Sequence, residues 1–135
     1  MSSQSPLLPR QRLLDFRLGR FAVVGICNTV VGLSVIFVSK AWWGLGDAAA
    51  NALGYSVAVL LGFAFNKSWT FEHKGSVGSA FSRYVLVLAV AYLANLMTTL
   101  FAINVLHFNS YLSHVLGIGP YAIAGYLGGR LFAFR

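Results

Sequence analysis

Long apolar stretches alternate with short polar and basic ones along this chain, on a scale too coarse for the solvated face of a soluble helix or strand. Four stretches, residues 21–39, 48–66, 84–106 and 108–129, run without an Asp, Glu, Lys or Arg. Each is close to the ~20 residues that a helix needs to cross a ~30 Å hydrocarbon core. Only a polar turn around His107 and Asn109 parts the last two. The pattern predicts an all-α membrane protein of four transmembrane helices.

Composition supports the same solvent. Of the 135 residues, 58% are hydrophobic and 10% charged, where soluble domains carry about 25% charged residues. The first stretch follows Arg10, Arg12, Arg17 and Arg20, as the core of a secretory signal follows its basic region. It is followed by Lys40-Ala41-Trp42-Trp43 rather than a small-residue cleavage site, so it reads as a retained anchor. Cys27 is the one cysteine, so no disulfide forms within the chain.

Cytoplasmic loops hold the excess of Lys and Arg. Arg10, Arg12, Arg17 and Arg20 precede the first stretch, Lys67, Lys74 and Arg83 lie in the middle loop, and Arg130 and Arg135 close the chain. Lys40 alone falls on the other side, near Asp47. Both termini are therefore expected in the cytoplasm, with residues 1–19 as a basic segment and 20–135 as the membrane domain. The net charge of +7 is then a topological signal, and no nucleic-acid partner is called for.

A shift of 63 residues lays the two halves over each other without a gap. Arg20-Phe21 falls on Arg83-Tyr84, Val24 on Val87, Leu53-Gly54 on Leu116-Gly117 and Gly62 on Gly125. Lys67 falls on Arg130, Trp69 on Phe132 and Phe71 on Phe134. The expected architecture is two tandem helical-hairpin repeats, about 20–72 and 83–135, entering the membrane in the same direction and related by a pseudo-two-fold along its normal. Arg20, Lys67, Arg83 and Arg130 would then form a basic ring at the cytoplasmic interface.

Three motifs carry a family resemblance. Arg20-Phe21-Ala22-Val23-Val24-Gly25 opens the first helix, Asn66-Lys67-Ser68-Trp69-Thr70-Phe71 closes the second, and Gly129-Arg130-Leu131-Phe132-Ala133-Phe134 closes the fourth. Over about residues 17 to 135 the chain resembles the GtrA-like proteins, with Gly129 standing where the second half would match Asn66. The resemblance implies a multi-pass protein of the bacterial cytoplasmic membrane that flips a polyprenyl-phosphate-linked sugar for cell-surface polysaccharide synthesis. The alternative is a non-transporting subunit that recruits or scaffolds a membrane glycosyltransferase. The small four-helix multidrug exporters match in size but depend on a Glu in the first helix, where this chain offers only Asn28, Thr29 and Ser34.

Arg20, Lys67, Arg83 and Arg130 are the expected lipid-phosphate ligands, since cations at headgroup depth give a phosphate charge-assisted hydrogen bonds. Ordinary positive-inside anchors flanked by Trp69, Phe71 and Phe132 would look the same. Asn28, Asn66, Asn95 and Trp69 are the expected substrate pathway, against the commoner use of a membrane amide to bind a neighbouring helix. Trp42, Trp43 and Asp47 are candidate external sugar contacts, against a simple headgroup belt. His107 and His114 lack a third ligand, so no metal site or cofactor is expected. No carboxylate lies in any stretch and no nucleophile has a base beside it, so no catalytic residue is assigned and the chain reads as a non-enzyme. Gly54, Ala58 and Gly62, with Gly125 and Gly129, are small residues at helix-contact spacing and point to a homo-oligomer. Pro120 is expected to kink the fourth helix.

Overall fold

The computed structural model describes residues 9–135, with side chains from Phe16 onward. Residues 1–8 and the side chains of Arg10 and Arg12 lie outside the described residues. The chain is all-α and divides into two compact units, Met1–Glu72 and His73–Arg135.

The first unit is a hairpin of α1, Pro9–Trp43, and α2, Asp47–Phe65, which continues as a π-helical segment, Asn66–Thr70. Gly44, at φ 64°, turns the chain between them, and Leu45 N–H donates to the Ser39 carbonyl. Lys40 and Asp47 form an ion pair across this turn. The helices meet where side chains vanish. A Cβ on Gly54 would lie 2.8 Å from the Gly32 carbonyl oxygen and 2.5 Å from Ile36, and one on Gly32 would lie 3.4 Å from Ala58. Such small-on-small contacts let backbones approach where lipid supplies no hydrophobic drive.

The second unit pairs α3, Val77–Asn104, with α4, Ser110–Gly128, which ends in a π-helical segment, Gly129–Ala133. His107 makes the left-handed turn at φ 55°, and Phe108 N–H donates to the Ala102 carbonyl. Asn109 caps α4, its side-chain oxygen accepting from Leu112 N–H at 2.8 Å. At the crossing, a Cβ on Gly117 would lie 2.6 Å from Thr99 Oγ1, 2.9 Å from Asn95 Nδ2 and 3.0 Å from the Asn95 carbonyl. The left-handed residue, the turn hydrogen bond, the glycine crossing and the π-helical segment each stand 63 positions after their equivalents in the first unit.

Many hydroxyls in these helices are satisfied locally, as suits an apolar solvent. Thr29, Ser34, Ser56, Ser68, Ser82 and Thr98 hydroxyls each donate to the carbonyl four residues back. Large apolar side chains such as Phe37, Val90, Met97 and Ile118 are exposed on all sides, a surface suited to lipid rather than water.

One expectation needs adjusting. The basic segment was placed ahead of the first helix, yet α1 begins at Pro9. Proline suits the first helical position and Arg, Gln and Leu propagate a helix well, so charge limits the membrane span without ending the helix. The four expected helices are all present, and by length and composition three of them, Phe16–Trp43, Asp47–Thr70 and Val77–Asn104, are long and apolar enough to cross a membrane. The fourth lacks charge but mixes His114, Gly117, Gly119, Pro120, Tyr121, Gly125 and Tyr126 among its apolar residues. Freedom from charge is not the same as apolarity. α4 is continuous through Pro120.

Candidate functional site

Each hairpin brings an arginine near the start of its first long helix against the π-helical end of its second. A π-helical segment hydrogen-bonds five residues back, and such widenings occur often at functional sites. Phe71 N–H donates to the Asn66 carbonyl at 2.9 Å, and Phe134 N–H to the Gly129 carbonyl at 2.8 Å. Both segments pack a buried phenylalanine beneath the arginine's neighbour. Phe71 lies 6.4 Å from Phe21, and Phe134 lies 5.6 Å from Tyr84, centroid to centroid.

In the first unit one end of the guanidinium is engaged, while Nε is buried without a hydrogen-bond partner. Arg20 Nη1 donates to the Trp69 carbonyl at 2.7 Å and to Glu72 Oε1 at 2.8 Å. The Phe16 ring lies 4.2 Å and the Trp69 ring 5.3 Å from its guanidinium carbon. The carbonyl is one of those that a helix end leaves without an internal partner, and a cation there also suits the helix dipole. Glu72 adopts φ 51°, a left-handed conformation uncommon for residues other than glycine, which turns its carboxylate back onto Arg20.

The second unit repeats the frame but not the neutralisation. Arg83 lies 6.0 Å from the Phe132 ring, and its Nε is buried without a hydrogen-bond partner. Residues 73–135 contain no Asp or Glu, so Arg83 has no acidic side chain in its unit. Arg130 sits half-buried in the π-helical segment, and Arg135 is exposed at the position 63 after Glu72.

The four expected phosphate ligands thus divide as Arg20 with Lys67 in the first unit and Arg83 with Arg130 in the second. Lys67 is half-buried within the π-helical segment that holds Trp69. Among the pathway residues, Asn66 is buried and its Oδ1 accepts from the Thr70 hydroxyl at 2.9 Å, which closes that amide oxygen within its own segment. Asn95 packs its amide against Gly117, and Asn28 is half-buried in α1. Trp69 is half of the Arg20 clamp. Trp42 and Trp43 are exposed at the end of α1, and Asp47 is engaged by Lys40. Among the described residues no three His, Cys, Asp or Glu side chains converge for a metal ion. Glu72 is the residue that sequence reasoning passed over, although the 63-residue shift sets it opposite Arg135 and so marks a reversal of charge.

The family model described as GtrA/DPMS, transmembrane domain, matches residues 20–134. No curated protein matches the chain.

Proposed function

We propose that this chain, which belongs to the GtrA/DPMS transmembrane-domain family, carries a polyprenyl-phosphate-linked monosaccharide across the bacterial cytoplasmic membrane for cell-surface polysaccharide synthesis. Membership makes it a membrane protein of polysaccharide and glycolipid synthesis; the carriage of the lipid is our reading. One observation carries it. The second hairpin sets Arg83 and Arg130 at helix ends with no acidic residue in residues 73–135 to neutralise them, and an arginine at headgroup depth in apolar surroundings demands an anion. A lipid phosphate supplies that anion while its chain stays in the bilayer.

The protein acts here as a carrier and not as a catalyst, with transport drawn forward by consumption of the sugar lipid outside. Four crossings put both termini in the cytoplasm. Reporter fusions after residues 44, 75 and 135 then read outside, inside and inside, and a C-terminal fusion reading outside overturns this topology. A homo-oligomer is part of the proposal, and native mass measurement in mild detergent tests it.

The deciding experiment is reconstitution. Vesicles holding only the purified chain should move a fluorescent polyprenyl-phosphate sugar faster than protein-free vesicles. Equal rates sink transport. Dependence of a co-purified glycosyltransferase on the chain would then favour the subunit that recruits it.

A further inference from the structure

The chain has three acidic residues, Asp15, Asp47 and Glu72, and all lie before residue 73. Asp47 is held by Lys40 and Glu72 by Arg20; the Asp15 side chain is outside the described residues. Residues 73–135 carry Lys74, Arg83, Arg130 and Arg135 against no Asp or Glu. The two hairpins therefore offer the same frame with opposite electrostatic completion.

We propose that a lipid phosphate is received in the second hairpin, by Arg83 and Arg130, and that Glu72 closes the equivalent position of the first by acting as a built-in anion for Arg20. This rests on the reading of the protein as a carrier of lipid phosphate. A guanidinium has five N–H donors in a planar fork that fits phosphate two bonds at a time. Arg20 has committed Nη1 to the Trp69 carbonyl and the Glu72 carboxylate, with two aromatic rings against the group. Any phosphate there must displace a carboxylate already in place. Arg83 has one ring near it and no acidic side chain in its unit; its Nε, like that of Arg20, is buried without a hydrogen-bond partner. At the position 63 after Glu72, Arg135 adds a positive charge where the first hairpin has a negative one. A second phosphate site in the first hairpin would need Glu72 removed.

Two sources present this chemistry, the phosphate of the carried lipid and the headgroup of a bulk phospholipid. Native mass spectrometry of the purified full chain in mild detergent separates them, with polyprenyl monophosphate and phosphatidylglycerol as the probes. The variants are Arg83→Gln, Arg130→Gln, Glu72→Gln and the double Arg20→Gln/Glu72→Gln, each first checked for unchanged helicity by circular dichroism. Arg83→Gln and Arg130→Gln should each weaken retention of polyprenyl monophosphate by about tenfold or more, the loss of a charge-assisted hydrogen bond. The double variant should bind as the parent does, and Glu72→Gln should admit a second lipid phosphate. Preference for polyprenyl monophosphate identifies the carried lipid as the occupant, and equal retention identifies bulk headgroups; either supports the assignment to the second hairpin. Retention by Arg83→Gln equal to the parent, or an equal loss in the double variant, overturns it. Transport in vesicles together with such a result would leave the carrier reading standing and remove the asymmetry alone. Arg83-dependent binding without transport would do the reverse.

Discussion

The Arg20 and Arg83 clusters occupy the same frame and differ in what fills it. At Arg20 a helix-end carbonyl and a carboxylate complete the cation, so the group is part of the scaffold. At Arg83 the frame holds an aromatic ring and no acidic side chain of its own unit, while Nε is buried without a hydrogen-bond partner in both clusters. Backbone geometry therefore does not decide what a basic helix end is for. One residue three positions beyond Trp69 does, because a glutamate at 72 supplies internally the anion that the other hairpin lacks.

The shared frame itself should be the most sensitive part. Gly54→Val and Gly117→Val each push a side chain into the facing helix, where Cβ alone already falls within 3.0 Å of backbone or packed side-chain atoms. Each should cost about 3 kcal/mol or more, at the upper end of overpacking, read as a loss of thermal stability in detergent by circular dichroism. Costs differing widely between the two would show that the crossings are not equivalent. Next in size, Arg20→Gln removes both a carbonyl cap and an ion pair with a largely exposed carboxylate. After allowance for solvent screening it should destabilise by about 1 kcal/mol. Arg83→Gln, losing no hydrogen bond, should melt within a few tenths of the parent. An equal loss from both would mean that Arg83 is also scaffold.

The two turns give a finer contrast. Gly44 and His107 both hold positive φ, where glycine is at ease and other residues are strained. Gly44→Ala should cost about 1 kcal/mol, and His107→Gly should be neutral or slightly stabilising, as thermal melts will show. The smallest effect belongs to Gly25→Ala. No atom lies within 4 Å of the added methyl, so helix propensity alone acts and raises stability by about 0.5 kcal/mol. A loss there would reveal a neighbour from a second copy of the chain.

Much of this was legible in the sequence because membranes impose simple rules. Charge-free runs and a 63-residue register lead to the hairpins, and Gly54 and Gly117 were already paired by that register. The register was silent on secondary-structure type at the helix ends, since i−4 and i−5 hydrogen bonding leave the same apolar pattern. It was equally silent on the hydrogen bond that the Thr70 hydroxyl donates to the Asn66 side-chain oxygen. Glu72 was missed for a different reason: its effect comes from a left-handed backbone that folds it onto Arg20.

The π-helical segments also set an angular phase. An α-helix advances about 100° per residue, and one wider turn accommodates an additional residue while the axis continues. What lies downstream is thereby rotated by nearly a third of a revolution from where an uninterrupted α-helix would aim it. In the first hairpin this displacement governs Trp69 and the approach to Glu72, and in the second it governs Phe132 and Arg135. Removing a single residue from Asn66–Thr70 would leave length and hydropathy almost unchanged and yet swing the clamp off Arg20, so at these helix ends the chain is more sensitive to residue number than to residue type.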